Sequence, residues 1–190
     1  MKFIITGLHD SGKEECAQIL EDEFNISIGK IFTNDQTSYL EEMLSIKEMN
    51  SLFNSGAYMF YKKKNFTNGP FTIYESLSQE VWDSKSVFVL SPDQVAYIGF
   101  NKFSDDIVWI WLDSDLEMRK LRYSDMNRIF KYSFYEKEKY EREYDYIFLD
   151  KICLNKYLYF NNEDPTRIAT IIYTLYKFPE LIDLYTKYFT

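Results

Sequence analysis

The sequence of 190 residues predicts an α/β domain of three layers, in which helices cover both faces of a parallel central sheet. An apolar run at residues 1–6 leads through a glycine-containing loop into a helical pattern. Two more continuous apolar runs, at residues 87–90 and 107–112, have the composition of strands that are buried on both faces. Helix-start residues follow each run, and this alternation of strand and helix indicates the fold class.

The loop at residues 7–13 reads Gly-Leu-His-Asp-Ser-Gly-Lys, which is the G-x-x-x-x-G-K pattern of phosphate-binding loops. In such loops the backbone N–H groups surround phosphate oxygens, the helix start adds positive potential, and the lysine neutralises the β and γ phosphates. The predicted nucleotide-binding residues are therefore Gly7, Asp10, Ser11, Gly12 and Lys13. The alternative is a strand-to-helix turn that binds nothing.

Glu14 stands where this pattern has Ser or Thr, whose hydroxyl binds magnesium. A carboxylate can also bind Mg²⁺, directly or through water, although it adds negative charge beside the phosphates. Glu14 is therefore the predicted nucleotide-side metal ligand.

The first helix is predicted over residues 13–24, because Cys16, Leu20 and Phe24 recur on one face of it. Residues 26–32 alternate weakly between apolar and polar side chains and are interpreted as a second strand.

Residues 33–86 are interpreted as a separate unit. Ser45 and Glu48 form a capping-box pattern, which predicts a short helix that stops at Gly56. The three lysines at 62–64 are interpreted as the exposed rim of a hairpin, with phosphate binding as the alternative. The other predicted elements of this unit are a strand at 57–61, a turn at 68–70, a strand at 71–74 and a short helix at 78–82.

Helix-start signals follow both later apolar runs. Ser91, Pro92 and Gln94 supply an N-cap, a first-turn proline and a capping-box partner. Ser114 and Glu117 form a second capping box. The remaining predicted elements are an arginine-bearing helix after Ser114 with a break near residues 124–125, a helix that ends near residue 143, a strand at 144–149, and one or two tail helices with Asp164 and Pro165 at their start and a break at Pro179.

Composition excludes several classes of protein. The net charge of −8 disfavours non-specific binding of nucleic acid, which needs a basic surface. A single histidine, His9, excludes His-rich metal sites and is expected to lie exposed on the loop or near the edge of the nucleotide. Cys16 and Cys153 show no metal-binding spacing and are interpreted as buried free thiols rather than a disulfide. No apolar stretch is long enough to span a membrane, so a cytoplasmic protein is expected.

In this order the features resemble the guanylate kinase family, in the form of phage deoxynucleoside monophosphate kinases, over about residues 1–150. The bias toward Asn, Lys, Ile, Tyr and Phe is compatible with an AT-rich phage genome. The matching features are the loop at 7–13, the run at 31–33, the helix and strand at 48–60, Tyr74, the strand end at 90–94, an arginine-bearing segment with Arg119, Arg122 and Arg128, and the apolar run at 144–149.

The resemblance implies a three-layer P-loop kinase fold with a core at residues 1–32, 87–117 and 130–190. It implies an insert at 33–86 that binds a nucleoside monophosphate, and a short lid at about 118–129. The implied reaction is transfer of a phosphoryl group from ATP, with Mg²⁺, to a (deoxy)nucleoside monophosphate.

The resemblance also implies roles for individual side chains. Lys13 would hold the β and γ phosphates, and Arg119, Arg122 and Arg128 would close over the transferring group. The implied acceptor contacts are Thr33 and Tyr74 for the phosphate, and Asp93 for orienting magnesium or the acceptor.

The acceptor side departs from the family pattern. The family has arginines just after Thr33, where this chain has Asn-Asp-Gln, and its guanine-reading glutamate falls near Tyr61 or Lys62. The sequence therefore does not predict which base the acceptor nucleotide carries. A catalytically silent guanylate-kinase-like module that binds a protein or a nucleotide is the alternative function. A P-loop kinase for another small acceptor, or for a modified base in DNA, is a third.

Each predicted site residue also has a purely structural interpretation. Arg119, Arg122 and Arg128 could lie on a solvated helix face paired with acids such as Glu117. Tyr74 could be a packing residue, and Asp93 a helix-start acid. A homodimer is left open.

Overall fold

The computed structural model describes residues 1–35, 38–65, 72–98, 106–125, 156–161 and 164–188. The strands in these ranges are β1 (Lys2–Thr6), β2 (Ile28–Gly29), β3 (Ile31–Thr33), β4 (Glu41–Met43), β5 (Tyr58–Asn65), β6 (Thr72–Ser78), β7 (Val87–Val89), β8 (Ile107–Asp113) and β9 (Lys156–Asn161). The helices are α1 (Lys13–Asp22), α2 (Ile46–Ser55), α3 (Gln79–Ser84), α4 (Pro92–Ile98), α5 (Leu116–Asp125), α6 (Pro165–Lys177) and α7 (Ile182–Tyr188), with a 3-10 turn at Pro179–Leu181.

A parallel sheet of five strands, in the order β2-β7-β1-β8-β9, forms the centre of the molecule. The three apolar runs of the sequence become β1, β7 and β8, which lie side by side. Their carboxyl ends meet at one edge of the sheet, where the loop after β1 faces the chain segments that follow β7 and β8. The predicted α/β class with a parallel central sheet is confirmed.

The two faces of β1 pack against different layers, because successive side chains of a strand point to opposite faces. Phe3 and Ile5 belong to a buried cluster that includes α1 and α6. Ile4 belongs to a second cluster, which includes Phe60 and Leu77 of β5 and β6. The sheet is therefore covered on both sides, as the apolar runs predict.

A second sheet of four strands, in the order β4-β3-β6-β5, lies within the unit that the sequence sets apart. Strands β3 and β4 are parallel, whereas β6 is antiparallel to both β3 and β5. Helix α2 of this unit begins at the predicted capping box, in which Ser45 Oγ accepts from Glu48 N and Glu48 Oε2 accepts from Ser45 N at 2.8 Å. The helix stops at Gly56, which has a φ of 68°.

Several element predictions are corrected. Residues 26–32 form two short strands in different sheets, since β2 joins the central sheet and β3 the second one. Strand β5 continues through the lysines to Asn65, and Lys62 is buried rather than part of an exposed rim. Strand β9 was not predicted. It is an edge strand of the central sheet, in which Leu158 is buried and the next residue, Tyr159, is exposed.

The start of α5 also differs from the prediction. Asp115 Oδ1 accepts a hydrogen bond from Met118 N at 2.8 Å, so the cap is Asp115 and not the Ser114–Glu117 pair. Ser114 forms other contacts, which are described below.

Several predicted features lie outside the described residues: the turn at 68–70, the helix near 143, the strand at 144–149, Arg128 and Cys153. Cys16 is a buried free thiol, and no helix in the described ranges is long and apolar enough to cross a membrane.

Candidate active site

The loop between β1 and α1 has the backbone conformation that its glycines permit. Gly7 has a φ of 148° and Gly12 a φ of 94°. A Cβ atom on Gly7 would lie 2.1 Å from the carbonyl oxygen of Leu112, so the loop passes directly against the end of β8. Gly12 is the N-cap of α1 and offers no side-chain acceptor to the N–H groups of the first turn. A helix start without a side-chain cap is a position where backbone N–H groups can bind an anion.

The side chains of the loop point into a largely buried space. Lys13 Nζ donates a hydrogen bond to the carbonyl oxygen of Leu8 at 2.8 Å, so its ammonium group is folded over the loop. Ser11 Oγ and Asp10 Oδ2 are buried and have no hydrogen-bond partner among the described residues. His9 is also buried, so the interpretation that it lies exposed on the loop is wrong, and its Nε2 lies 4.0 Å from Asp10 Oδ2. A buried hydroxyl without a partner is a position that a bound phosphate oxygen can satisfy.

Arg122 of α5 reaches this loop. Its Nη1 donates to the carbonyl oxygen of Asp10 at 3.2 Å and to Ser114 Oγ at 3.1 Å. A Cβ atom on Gly12 would lie 3.6 Å from the Arg122 guanidinium carbon. The guanidinium group is therefore packed against the phosphate loop, although 112 residues separate Asp10 from Arg122 in sequence.

Arg119 lies one helical turn earlier and is used differently. It is 1% exposed, and its Nε donates to the carbonyl oxygen of Ser114 at 3.0 Å. Ser114 N in turn donates to Asp113 Oδ1 at 2.8 Å. Arg119 therefore holds the junction between β8 and α5, whereas Arg122 contacts the loop at residues 7–13.

Glu14, the predicted metal ligand, is engaged by the segment between β3 and β4. Its Oε2 accepts a hydrogen bond from Ser38 Oγ at 3.0 Å, and its backbone oxygen accepts one from Tyr39 OH at 3.0 Å. The residue after the loop lysine thus contacts the second sheet's connecting segment. No sequence signal indicates Ser38 as its partner.

A row of polar side chains crosses the second sheet. Thr33 of β3 is opposite Glu75 of β6, which is opposite Lys62 of β5. Directly opposite residues share a face of the sheet, and all three side chains are buried. The alternation of Lys62 with the buried Phe60, two residues earlier, is the sequence signal that could have placed Lys62 on the inner face.

Helix α4 covers this row with two polar side chains of its own. Asp93 forms an ion pair with Lys62, and its Oδ1 also accepts a hydrogen bond from Ser91 Oγ. Gln94 Nε2 donates to Glu75 Oε2 at 3.1 Å, and Gln94 Oε1 accepts from Ser91 N at 2.9 Å. The structure therefore brings Thr33 and Asp93, both predicted acceptor contacts, to one polar cluster that joins the second sheet to α4.

Tyr74 occupies the other face of the second sheet. Its ring lies 5.9 Å from the ring of Tyr61, and Lys63 Nζ lies 5.8 Å from its centre. Its backbone N–H donates to Asn34 Oδ1 at 2.7 Å. Burial, with the nearby Tyr74 and Tyr58 hydroxyls, raises the pKa of Tyr61 above its usual value. Tyr74 is thus placed among aromatic rings and apart from Thr33 and Asp93.

No protein-family model and no curated protein sequence matches this chain. Among solved structures, the chain is similar to guanylate kinase from Anaplasma phagocytophilum, with a TM-score of 0.55 and 13% identity over 93% of this chain and 84% of that one. It is also similar to a sugar kinase from a Janibacter species, with a TM-score of 0.50 and 12% identity over 95% of this chain and 96% of that one. The similarity supports the P-loop kinase fold.

Proposed function

We propose that this chain is a phosphotransferase that moves the γ-phosphoryl group of ATP, with Mg²⁺, to a (deoxy)nucleoside monophosphate. The observation that carries the proposal is the contact between Arg122 and the phosphate loop. In this contact the guanidinium group lies against the same loop that carries the Lys13 ammonium group. Phosphoryl transfer asks a protein mainly for positioning and charge neutralisation, which these groups supply.

The loop residues fit a nucleotide triphosphate. The first-turn N–H groups of α1, the buried Ser11 hydroxyl and the Lys13 ammonium group are the donors that phosphate oxygens require. On nucleotide binding, Lys13 would exchange its hydrogen bond with Leu8 for one with a phosphate oxygen. Arg122 would neutralise charge on the transferring group while Arg119 holds the start of α5, and Arg128 stays a prediction.

The residues also fit magnesium in the form in which kinases use it. Within the described ranges, no three or more His, Cys, Asp or Glu side chains converge as a metal site. Mg²⁺ bound to nucleotide phosphates takes only one or two carboxylates from the protein, because phosphate oxygens and water complete its coordination. Glu14 is the proposed carboxylate. It can accept from Ser38 and bind a metal ion, since a carboxylate has about four lone-pair sites.

The proposal for the acceptor rests on the second sheet. Thr33 and Asp93 lie in the polar cluster between this sheet and α4, which is where we propose that the acceptor nucleotide is recognised. Tyr74 stays a predicted phosphate contact, which requires the acceptor to reach the opposite face. The similarity to the Janibacter sugar kinase, which extends over 96% of that chain, favours a small polyhydroxylated acceptor as the second candidate.

A coupled assay of ADP release with Mg-ATP tests the proposal against the four deoxynucleoside monophosphates, GMP and a panel of sugars. We expect turnover with at least one nucleotide, and a loss of about 100-fold or more in Lys13→Met. Lys30→Met, at an exposed lysine, is the matched control and should retain activity. Turnover with sugars alone would support the second candidate. A folded protein that binds ATP but phosphorylates nothing would support the catalytically silent module.

A further inference from the structure

Glu14 connects the phosphate loop to the beginning of the second sheet through two hydrogen bonds from neighbouring residues. Ser38 donates to its carboxylate and Tyr39 to its backbone oxygen, each at 3.0 Å. Ser38 and Tyr39 follow Glu14 by 24 and 25 residues in sequence and lie in the segment that leads into β4. The bonds therefore join two segments that no strand pairing connects.

The segment that carries the two donors, residues 38–40, makes further hydrogen bonds to its neighbours. Ser38 Oγ accepts from Leu40 N at 3.2 Å, and Ser38 N donates to Glu41 Oε2 at 3.0 Å. Leu40 is buried in the core cluster that includes α1, and its carbonyl oxygen accepts from Ile31 N at 3.0 Å. A shift of Ser38 would therefore be transmitted to Ile31 and to the start of β3.

Tyr39 links this segment to the core as well as to Glu14. Its ring packs against the core cluster that contains α1. Its hydroxyl donates to the Glu14 backbone oxygen at 3.0 Å. Tyr39 therefore holds the first turn of α1 against the segment that leads into β4.

The far end of this chain of contacts is the polar cluster of the second sheet. Strand β3 ends at Thr33, whose carbonyl oxygen accepts from Leu44 N at 2.8 Å. The bonds from Glu14 thus lead through Ser38 and Leu40 to the strand that carries Thr33. Lys13, at the other end, is the neighbour of Glu14 in the first turn of α1.

We propose that Glu14 is a positioning residue, which couples the phosphate loop to the strand that carries Thr33 through its bonds with Ser38 and Tyr39. This inference rests on the proposed function for its kinetic consequence, since Thr33 is there an acceptor contact. Nucleotide bound at the loop then orders the second sheet, and loss of the two bonds weakens acceptor binding without altering the loop itself.

The test removes the two donors and leaves Glu14 unchanged. The double variant Ser38→Ala/Tyr39→Phe should raise KM for the acceptor about 5- to 30-fold, because two hydrogen bonds of ordinary strength are lost. KM for ATP should stay within about twofold, as the loop residues are intact. The matched control is Ser55→Ala/Tyr173→Phe. At the exposed end of α2, Ser55 Oγ donates to the carbonyl oxygen of Leu52 and accepts from Ala57 N, and Tyr173 stacks on Phe24 against the core cluster.

Glu14→Gln separates positioning from metal binding. The amide oxygen of Gln can still accept from Ser38, whereas its neutral side chain is a weaker ligand for Mg²⁺. We expect Glu14→Gln to raise the Mg²⁺ requirement and to leave the acceptor KM within about twofold of wild type. An acceptor KM that is unchanged in the double variant, or raised equally in the control, would overturn the proposal.

Hydrogen exchange supplies a readout that does not depend on turnover. Exchange at the amides of residues 31–33 and 41–44 should be faster in the double variant than in wild type and in the control. Mg-ATP should slow this exchange in wild type and not in the double variant. If the wild-type protein neither phosphorylates an acceptor nor binds ATP, the proposed function is wrong. The difference in exchange between the double variant and wild type without nucleotide still tests whether Glu14 is coupled to β3. Equal exchange in all three proteins would overturn it.

Discussion

Lys62 of β5 and Asp93 of α4 form an ion pair whose two side chains are almost completely removed from solvent. The Lys62 ammonium group also lies 5.1 Å from the centre of the Tyr97 ring, and Asp93 accepts a further hydrogen bond from Ser91. A buried ion pair adds little net stability when both charges are present, because desolvation offsets the attraction. Its effect is to fix how β5 of the second sheet sits against α4.

Breaking this pair on one side should be costly. Lys62→Met leaves the Asp93 carboxylate buried without its cation and should lower the free energy of unfolding by about 3–5 kcal/mol. Lys62→Met/Asp93→Leu removes both charges and should recover most of that loss. Urea unfolding of the three proteins measures the difference. A single variant that loses less than about 1 kcal/mol would show that the pair is solvated in solution.

Substitution of Arg119 should mainly lower stability, and substitution of Arg122 should mainly lower activity. Arg119→Ala removes a buried side chain that bonds to the Ser114 carbonyl oxygen, and should destabilise the fold by about 2 kcal/mol or more. Arg122→Ala should change stability by less than about 1 kcal/mol but lower kcat by about 100-fold or more, because in the proposed function its guanidinium group neutralises charge on the transferring phosphate.

Arg167→Ala, at an exposed arginine of α6, is the control for both changes. Thermal melts combined with steady-state kinetics distinguish them. Equal losses of kcat in Arg122→Ala and in the control would remove Arg122 from the proposed mechanism.

The glycines of the phosphate loop should differ in their tolerance of a methyl group. In Gly7→Ala the new Cβ would meet the Leu112 carbonyl oxygen at 2.1 Å, so β1 or β8 must move, at a cost of about 3 kcal/mol or more. In Gly12→Ala the nearest atoms lie at 3.5 Å and beyond, and only the positive φ is strained, at about 1–2 kcal/mol.

Gly56→Ala is the matched control for backbone strain, since its φ is 68° and no atom lies within 4 Å of the added Cβ. Free energies of unfolding from urea titrations should rank the loss as Gly7 above Gly12, with Gly12 close to Gly56. The reverse order would contradict the close approach of the loop to β8.

Stability should fall in alkaline solution because of Cys16. Burial, and secondarily the nearby Glu15 carboxylate, raises the pKa of this thiol from 9.0 to about 12. The protonated thiol therefore contributes stability that is complete below pH 9 and is lost as the pH rises toward 12, since only the unfolded chain releases the proton in that window. The loss amounts to about 1.4 kcal/mol per pH unit.

Unfolding of wild type and Cys16→Ala at pH 8 and pH 10, in the presence of a reductant, measures this contribution. The variant starts from lower stability because of the cavity, but its decline between the two pH values should be smaller by about 1.4 kcal/mol. Parallel declines would show that the thiol is not protected from solvent in the folded protein.

The local features of this chain were predictable because they depend on residues a few positions apart. The capping box of Ser45 and Glu48 is made within one turn of helix, and the stop at Gly56 needs only the φ freedom of glycine. The runs that become β1, β7 and β8 have consecutive apolar residues at their centres, which is sufficient to indicate a sheet covered on both faces. The start of α5 was predicted one residue too early, because Asp115 is the cap in place of Ser114.

Only the loop at residues 7–13 of the candidate site could be located from the sequence. Gly7, Ser11, Gly12 and Lys13 form one continuous pattern whose geometry follows from the strand and the helix on either side of it. The polar cluster, where we propose that the acceptor binds, is built from three separate segments, so the burial of Lys62 depends on where β5 lies relative to α4.

By itself, the sequence determined the class of fold, the strand, loop and helix at residues 2–22 and most helix starts, because these depend on backbone preferences and periodicity within short windows. Only the tertiary structure decided which charged side chains meet. Arg122 reaches Asp10 across 112 residues, Ser38 bonds to Glu14 across 24, and Lys62 pairs with Asp93 from another element. Such contacts follow from strand order and helix packing. No local sequence pattern predicts which partner a carboxylate or guanidinium group will have.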